Sequence, residues 1–299
     1  MLDGKVVVVT GSGRGLGRAY ARAVADAGAA VVVNDVDADA AAAVVAEIEA
    51  AGGRAAPVIA PVGPTDTAEA LVATAVERFG RLDAMVTNAG LLRDRTVGKM
   101  SDEDFDVVVE THLRGTFTCA RAAIGRFREQ GGGGRLVLVG SPAGQRASFG
   151  QTNYSAVKAG IVGMARTLAA ETTRYGTTVN ALVPVALTRM VATMPAFAAA
   201  VAAVERGEPV PEALRENGVG TAEDVAPLLV YLLSDAAAGV TGQALGVGGD
   251  RISVWSHPTV AAQASRTGGW TAAAIADEFP ALLAPHLQPF GADVPTAAR

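Results

Sequence analysis

The chain has 299 residues, half of them apolar and only 5% aromatic, which is long enough for one large or two small domains with a sizeable core. Its formal net charge of −5 argues against nucleic acid or an anionic membrane as the main partner. A single cysteine excludes an internal disulfide, and no apolar run suits a signal peptide or a membrane span, so we expect a soluble cytoplasmic protein.

Valine-rich runs alternate along the chain with alanine-rich segments of helical period. Strands are predicted over residues 5–10, 30–35, 54–62, 83–87, 135–140, 177–183 and 243–247, and helices over about 15–28, 38–51, 66–79, 101–130, 151–175 and 222–234. This alternation implies crossover connections and a parallel sheet covered by helices on both faces. Because such crossovers are right-handed, the sequence predicts an α/β fold with a doubly wound (Rossmann) parallel sheet.

Two regions do not follow this alternation. Residues 188–220 contain three prolines and a weak helical pattern, which favours a mobile insertion beyond the sixth strand. Residues 251–299 contain proline, tryptophan and small residues without a clear period. We therefore predict a single domain over residues 1–250, with residues 251–299 as a C-terminal extension packed on it.

The segment TGSGRGLG, residues 10–17, follows a buried strand and opens a helix, which is the context of a dinucleotide-binding loop. In such a loop Gly11 permits the tight turn, Gly15 lets the backbone approach a pyrophosphate, and Gly17 allows close packing. The phosphates would lie at the helix N-terminus, where free N–H groups favour anions. A glycine-rich turn without a ligand is the alternative. Asp35, at the end of the second strand, weighs against it, because a carboxylate there accepts hydrogen bonds from the adenosine ribose of NAD.

Tyr154 and Lys158 are four positions apart at the start of the helix predicted over 151–175. That spacing places them on one helix face, where an ammonium favours tyrosinate and lowers the pKa of Tyr154 toward neutrality. Tyr154 would then act as a general acid or base at working pH. Ser141 follows a strand at the carboxyl edge of the sheet, where its hydroxyl could hydrogen-bond a substrate carbonyl. A helix-cap or turn serine is the alternative for Ser141.

Several motifs together resemble the short-chain dehydrogenase/reductase family over roughly residues 1–250. They are TGSGRGLG, TNAG (87–90), Ser141, Tyr154 with Lys158, and VNALVP (179–184). Within that family, other segments resemble the (3R)-hydroxyacyl-CoA dehydrogenase unit of multifunctional β-oxidation enzymes. These segments include LLRDR (91–95), THLRGTF (111–117), FGQTNYSAVKAG (149–160) and, in the extension, GGWTAAAIADEF.

The resemblance implies that Tyr154 exchanges the substrate proton, while Lys158 lowers the tyrosine pKa and holds the nicotinamide ribose. Ser141 and His112 complete the implied catalytic set, and no metal ligand belongs to it. A homodimer or homotetramer is also implied, in which the helices over 101–130 and 151–175 pair across a two-fold axis. Contacts with NAD are implied for Gly11, Ser12, Arg14, Gly15, Leu16, Gly17, Asp35, Val62, Asn88, Ala89, Gly90, Tyr154, Lys158, Pro184 and Thr188.

His112 stands where most of the family has a catalytic asparagine. In the family, the main-chain carbonyl at this position holds a water that links the lysine to solvent, so a histidine side chain need not end catalysis. Two alternatives are that the imidazole titrates near pH 6.5 and receives the proton, or that it only packs on the helix. Further departures from the family are Thr87 in the usual NNAG, Pro61 in place of an adenine-contacting aspartate, and Val185 in place of a glycine.

Asp35 predicts NAD rather than NADP, whereas Arg14 resembles a feature of many NADP-dependent members and opposes that prediction. The leading hypothesis is an NAD-dependent secondary-alcohol dehydrogenase that acts on a (3R)-3-hydroxyacyl-CoA or a similarly bulky hydroxy compound. A hydroxysteroid dehydrogenase or other ketoreductase on the same scaffold is one alternative, and a catalytically silent NAD-binding protein is another. Arg93, Arg95 and Lys99 are candidate contacts for the phosphates of a CoA thioester, or else solvated loop charges.

Overall fold

In the computed structural model, which describes residues 1–193 and 195–289, eight strands form one sheet. The strands are β1 (Val6–Val9), β2 (Ala30–Asp35), β3 (Arg54–Ile59), β4 (Ala84–Thr87), β5 (Arg135–Val139), β6 (Thr178–Pro184), β7 (Ala244–Gly248) and β8 (Arg251–Trp255). Their order is β3-β2-β1-β4-β5-β6-β7-β8, and β1 to β7 run parallel. This confirms the doubly wound parallel sheet.

The described residues contain ten α-helices, several of which cover the two faces of the sheet. They are α1 (Gly15–Asp26), α2 (Ala38–Ala50), α3 (Thr65–Phe79), α4 (Asp102–Val108), α5 (Gly115–Gln130), α6 (Thr152–Thr172), α7 (Pro195–Glu205), α8 (Glu212–Glu216), α9 (Ala222–Leu233) and α10 (Ala272–Leu282). Two helix starts have a clear local cause. Asp37 accepts the amide of Ala40 before α2, and Thr221 forms a reciprocal capping box with Asp224 before α9. Each satisfies backbone donors that a helix N-terminus leaves unpaired.

The apolar core lies in two layers, one on each face of the sheet. All four valines of β1 are buried, and their side chains point alternately to the two faces. Alternate valines therefore pack in the layer of α1, α2 and α9, which contains Tyr20, and in the layer of α3, α5 and α6, which contains Phe127. Burial on both faces explains why this strand is a continuous apolar run.

Parallel strands place all their carboxyl ends at one edge of the sheet. The segments that leave this edge after β1, β4, β5 and β6 contain residues 10–17, Asn88, Ser141 and Thr188 in turn. The strand order reverses between β1 and β4, and ligands of such sheets bind in the crevice at that reversal. The topology therefore brings the predicted cofactor and catalytic residues to the same edge.

The helix predicted over 101–130 contains a wider turn in its middle. It comprises α4, a π-helical segment Val109–Arg114 and α5. The amide of Gly115 is directed at the carbonyls of both Glu110 and His112. Single π-turns within α-helices occur often at functional sites, and this one contains His112.

Residues 188–220, which the sequence predicts as a mobile insertion, include α7 and α8. An apolar cluster that includes Leu187, Val201, Val210 and Val219 packs beneath them. The segment therefore has a small core of its own, which the weak helical pattern of the sequence did not show.

The region after residue 250 begins with β8, which pairs antiparallel with β7, so that one compact unit extends from Met1 to Trp255. The described residues after Trp255 form a second unit. In it, α10 begins after Thr271, whose hydroxyl accepts the amide of Ala274, within the segment whose helical character the resemblance implied. That this unit packs on the first stays a prediction. None of the helices in the described ranges is both long and apolar enough to cross a membrane.

Candidate active site

The glycine-rich segment forms the predicted turn between β1 and α1. Gly15 is exposed with a φ of +54°, and no neighbouring atom of the described residues lies within 4 Å of the place of a Cβ. A Cβ on Gly17 would lie 2.1 Å from the carbonyl oxygen of Gly11, so this close approach requires glycine. Ser12 is fully buried, and its hydroxyl donates to the carbonyl of Val9 at 2.8 Å. The loop therefore presents backbone N–H groups to a ligand, and the Ser12 side chain only supports it.

Asp35, at the carboxyl end of β2, lies against the glycine loop. Its carboxylate accepts the amide of Gly13 at 2.9 Å and the amide of Asp37 at 3.1 Å. Asp37 in turn pairs with the guanidinium of Arg14, and both of these side chains are about half exposed. The amide of Ala40, and then Arg14, hold the pKa of Asp37 below its usual value. The charge of Arg14 is thus directed at a carboxylate of its own chain.

The carboxyl end of β4 is joined to the same loop. The side-chain amide of Asn88 donates to the carbonyls of Thr10 and Gly11, each at 3.0 Å. The hydroxyl of Thr10 accepts the amides of Asn88 and Ala89, also at 3.0 Å. Asn88 therefore fixes the glycine loop to β4 through its side chain, while the main chain continues along the crevice through Gly90.

The other predicted cofactor contacts lie around this crevice. The side chain of Val62 is buried against the start of α5, where a Cβ on Gly115 would lie 2.8 Å from its Cγ2. Pro184 ends β6, and Thr188 is half-buried just beyond it. Leu16, in the first turn of α1, is half-buried against the core. Contacts of these residues with a cofactor stay predictions.

Ser141, Tyr154 and Lys158 lie together between the end of β5 and the start of α6. Ser141 is close enough to Tyr154 to lower the pKa of its phenol, and Nζ of Lys158 lies 5.5 Å from the centroid of the tyrosine ring. The Ser141 hydroxyl also accepts the amide of Ala143 at 3.2 Å, so the helix-cap role considered as an alternative is present as well. A Cβ on Gly144 would lie 2.5 Å from the carbonyl carbon of Lys158, which shows how closely the Ser141 segment packs on α6.

The pKa of Tyr154 differs from the value that the sequence predicted. Burial raises the pKa of Tyr154, the side chain of Ser141 lowers it, and the charge of Asp94 raises it further. Lys158 is buried, which lowers its pKa to about 7. Its ammonium donates to the carbonyl of Val139 at 2.6 Å and is directed at β5 rather than at the phenol. The pKa of Tyr154 is therefore raised in this structure, not lowered as the sequence predicted.

His112 lies in the π-helical turn, buried between Gly90 and Tyr154. A Cβ on Gly90 would lie 2.2 Å from Cε1 of the imidazole, and the imidazole meets the Tyr154 ring edge to face with centroids 5.3 Å apart. Nε2 lies 2.9 Å from the carbonyl oxygen of Leu91, while buried Nδ1 has no hydrogen-bond partner among the described residues. Burial, and then the charge of Lys158, lower the pKa of His112 to about 3. The imidazole is therefore neutral at working pH, and the expected titration near pH 6.5 does not hold here.

Three polar side chains near the site have no predicted role in the sequence analysis. Asp94 follows β4, and Gln151 and Asn153 lie at the start of α6. All three belong to segments that carried the family resemblance, LLRDR and GQTNY. A single sequence does not separate them from their neighbours, because only the fold shows that these two segments touch.

Comparison with known proteins agrees with this geometry. The profile of the short chain dehydrogenase family matches residues 5–198. The chain belongs to this family. Short-chain dehydrogenases are oxidoreductases that bind a nicotinamide dinucleotide and act on small molecules. The exposed backbone of Gly15 at the N-terminus of α1, with Asp35 beside it, fits the pyrophosphate and the adenosine ribose of such a cofactor.

Several individual proteins are similar to this chain. Peroxisomal multifunctional enzyme type 2 of Mus musculus is 39% identical over 193 residues, which are 64% of this chain and 23% of that protein. A 3-oxoacyl-(acyl-carrier-protein) reductase of Synechocystis is 38% identical over 211 residues, 70% of this chain and 81% of that protein. The crystal structure of a short chain dehydrogenase from Mycobacterium avium has a TM-score of 0.83 at 40% identity, and covers 96% of this chain and 97% of its own. This chain spans less than two thirds of the length of several curated relatives that it matches.

Proposed function

We propose that this protein is an NAD-dependent oxidoreductase that interconverts a secondary alcohol and a ketone, with a (3R)-3-hydroxyacyl thioester or a similarly bulky hydroxy compound as substrate. The observation that carries the proposal is the placement of Ser141, Tyr154 and Lys158 together between the end of β5 and the start of α6, at the same sheet edge as the glycine loop. A relative that reduces a 3-oxoacyl group by its name supports the substrate class, because a 3-oxoacyl group is the ketone partner of a 3-hydroxyacyl group.

The chain supplies the groups that this reaction needs. In alcohol oxidation the Ser141 hydroxyl orients the substrate oxygen, and Tyr154 accepts the proton of the substrate hydroxyl as general base. A bound oxidised dinucleotide supplies the acceptor for the hydride that leaves the substrate carbon. Ketone reduction reverses these steps, so that Tyr154 returns a proton to the oxygen. Lys158, one helical turn from Tyr154, is the candidate to hold a ribose hydroxyl, and it would stabilise tyrosinate if its ammonium turned from the carbonyl of Val139 toward the phenol.

The preference for NAD over NADP is part of the proposal. The pyrophosphate would lie on the backbone of Gly15 and the first turn of α1. Asp35 would accept the ribose hydroxyls and repel a 2′-phosphate. Arg14, which opposes this reading in the sequence, is paired with Asp37, and this pairing supports NAD.

Recognition of a CoA thioester is a further part of the proposal. Arg93, Arg95 and Lys99 are exposed on the segment that follows β4, and none of them forms an ion pair with a described residue. Unpaired cations at this rim suit the phosphates of CoA. Solvated loop charges are the alternative explanation. Activity on CoA thioesters that equals activity on truncated thioesters without the nucleotide would remove these residues from recognition.

A substrate panel with purified protein tests the proposal. NADH release is followed with 3-hydroxyacyl-CoA of several chain lengths, with hydroxysteroids and with small secondary alcohols, and NADH consumption is followed with the matching ketones. We expect turnover with bulky hydroxyacyl thioesters. The second candidate, a ketoreductase, is favoured by the Synechocystis relative and predicts faster reduction than oxidation with NADPH as donor. Binding of NADH without turnover of any compound would instead show a silent dinucleotide-binding protein.

A further inference from the structure

The segment 91–95, which we call the rim loop, is hydrogen-bonded to the start of α6. The side-chain amide of Asn153 donates to the carbonyl of Arg93 at 3.1 Å, and its side-chain oxygen accepts the amide of Tyr154 at 2.8 Å. Asn153 is completely buried. The main chain of the rim loop and the main chain of the proton-transfer residue are therefore joined through a single side chain.

Asp94 makes the side-chain contact between the rim loop and α6. Its Oδ2 accepts a hydrogen bond from the side-chain amide of Gln151 at 2.9 Å. Gln151 is buried, and its side-chain oxygen accepts the hydroxyl of Ser148 at 2.7 Å, which fixes its orientation. The amide of Arg95 adds a bond to the carbonyl of Gly150 at 2.8 Å. These bonds hold the rim loop beside residues 148–151, which precede α6.

The second oxygen of the Asp94 carboxylate is buried and has no hydrogen-bond partner among the described residues. Burial of a carboxylate oxygen without a donor costs free energy. A neutral asparagine would accept the same bond from Gln151 at a lower desolvation cost. The negative charge therefore points to a role beyond holding the loop.

The charge of Asp94 acts on Tyr154. Lys158 on α6 and His112 on the π-helical turn lie at the Tyr154 ring, and among the described residues the rim loop adds the charge of Asp94. His112 is neutral, and a Lys158 pKa of about 7 leaves that side chain neutral at the higher pH at which Tyr154 ionises, so the charge that acts on the phenol there is that of Asp94. Asp94 raises the pKa of Tyr154, which disfavours tyrosinate.

We propose that Asp94 is a positioning residue for Tyr154: its hydrogen bond to Gln151 fixes the rim loop against the start of α6, and its buried negative charge acts on the phenol from the rim loop. This inference rests on the proposed function, in which Tyr154 accepts the substrate proton. In alcohol oxidation tyrosinate is the active base, so kcat/KM rises with pH as Tyr154 ionises. Removal of the Asp94 charge moves that rise to lower pH.

Two variants separate the charge from the hydrogen bond. Asp94→Asn keeps an acceptor oxygen for Gln151 and removes the charge, whereas Gln151→Ala keeps the charge and removes the bond. Asp102→Asn removes an exposed carboxylate at the start of α4 and is the matched control. We expect the midpoint of the kcat/KM profile of Asp94→Asn to fall by about half a pH unit to one unit. We expect Gln151→Ala to lower kcat/KM about tenfold without lowering the midpoint.

A second measurement does not need turnover. The ultraviolet absorbance of tyrosinate is titrated in each variant against the same variant with Tyr154→Phe, so that the difference reports Tyr154 alone. The Tyr154 step should lie at lower pH in Asp94→Asn than in Asp102→Asn. If the wild type binds NADH but oxidises no hydroxy compound, the proposed function fails, and this titration still tests Asp94.

The two parts of the inference fail separately. A Tyr154 step in Asp94→Asn that coincides with that of Asp102→Asn would overturn the role of the charge. Unchanged kcat/KM in Gln151→Ala would overturn the role of the hydrogen bond. If Asp94 had only a structural role, Asp94→Asn would lower the melting temperature and leave the pH dependence of kcat/KM unchanged. That result would contradict the inference.

Discussion

Asp35→Asn should move the dinucleotide preference from NADH toward NADPH. The carboxylate of Asp35 is held by the amides of Gly13 and Asp37 at the place where the adenosine ribose is proposed to bind. Asparagine keeps the shape of the side chain and one acceptor oxygen, but it loses the charge. Because each carboxylate oxygen accepts one backbone amide, asparagine can keep only one of these two bonds, so the substitution removes the charge and one contact of the loop.

Two contributions determine how far the ratio of the Kd values for NADH and NADPH should change in Asp35→Asn. Hydrogen bonds to a charged acceptor contribute about 1.5–3 kcal/mol, so NADH should bind about tenfold more weakly or worse in the variant. Repulsion between a carboxylate and a doubly charged 2′-phosphate across a few ångströms of well-solvated surface is about 1–2 kcal/mol, so NADPH gains about five- to thirtyfold from its removal. The ratio of the two Kd values should then change by about two orders of magnitude.

Equilibrium titration of NADH and NADPH fluorescence measures both Kd values without turnover. Asp37→Asn is the matched control, because it changes only the exposed pair with Arg14. Exposed ion pairs contribute little, so freeing Arg14 should improve NADPH binding only about two- to fivefold and leave NADH unchanged. An unchanged Kd ratio in Asp35→Asn, with the melting temperature preserved, would refute the reasoning. Tighter binding of NADPH than of NADH by the wild type would refute it as well.

Two further predictions concern the chemistry and the assembly. Tyr154→Phe should abolish turnover while NADH binds within about twofold of the wild type, because only the group that moves the proton is lost. Steady-state kinetics and fluorescence titration check this, and more than a few per cent of residual activity would remove Tyr154 from its role. Light scattering at micromolar concentration should report a dimer or tetramer, with α5 and α6 at the two-fold interface. A monomer would contradict the family-based expectation.

The sheet and the glycine loop were predictable because their causes are local. Strands buried on both faces need continuous apolar runs, and β1 consists of four buried valines. The turn after β1 needs glycine at Gly11 and Gly17, whose places leave no room for a Cβ. Such constraints act on residues that are neighbours in the sequence, so a single chain records them.

The sequence around β8 contains a hairpin signal, although no strand was predicted there. The alternating segment RISVW follows Gly249 and Asp250, and Gly248 pairs with Arg251 across that two-residue turn. A glycine-containing two-residue turn before an alternating segment is typical of a hairpin. Ile252 and Val254 stay exposed on this edge strand, so the segment lacks the long apolar run that identified the parallel strands.

The protonation of the site could not be predicted from spacing. The spacing of four positions from Tyr154 to Lys158 predicts a lowered tyrosine pKa, but the direction depends on burial and on Asp94, which belongs to the segment that follows β4. The same holds for His112, whose pKa depends on its burial and on Lys158. Pairs of charges that only the fold brings together leave no local pattern in the sequence.

His112 is compatible with Lys158 only while the imidazole is neutral, because a second buried cation beside the ammonium would be repelled. Its neutral form hydrogen-bonds Leu91 at the start of the rim loop, opposite the contact of Asp94 with Gln151. The side chain therefore positions the rim loop and need not receive a proton. His112→Asn should accordingly stay active at neutral pH, since the main-chain carbonyl is unchanged.

The buried neutral histidine should lower the free energy of unfolding at acidic pH. Its pKa is about 3 in the folded protein, whereas the imidazole of the unfolded chain titrates near its ordinary value of 6.5. Between these values the unfolded chain binds more protons, so the stability of the wild type falls as the pH falls. Urea unfolding at about pH 7 and about pH 5 should show that His112→Asn gains about 2 kcal/mol relative to the wild type over that interval. Parallel stability curves would show that the imidazole takes up a proton as readily in the folded protein as in the unfolded chain. It would then be able to receive the proton from Lys158 directly, and loss of activity in His112→Asn with NADH still bound would follow.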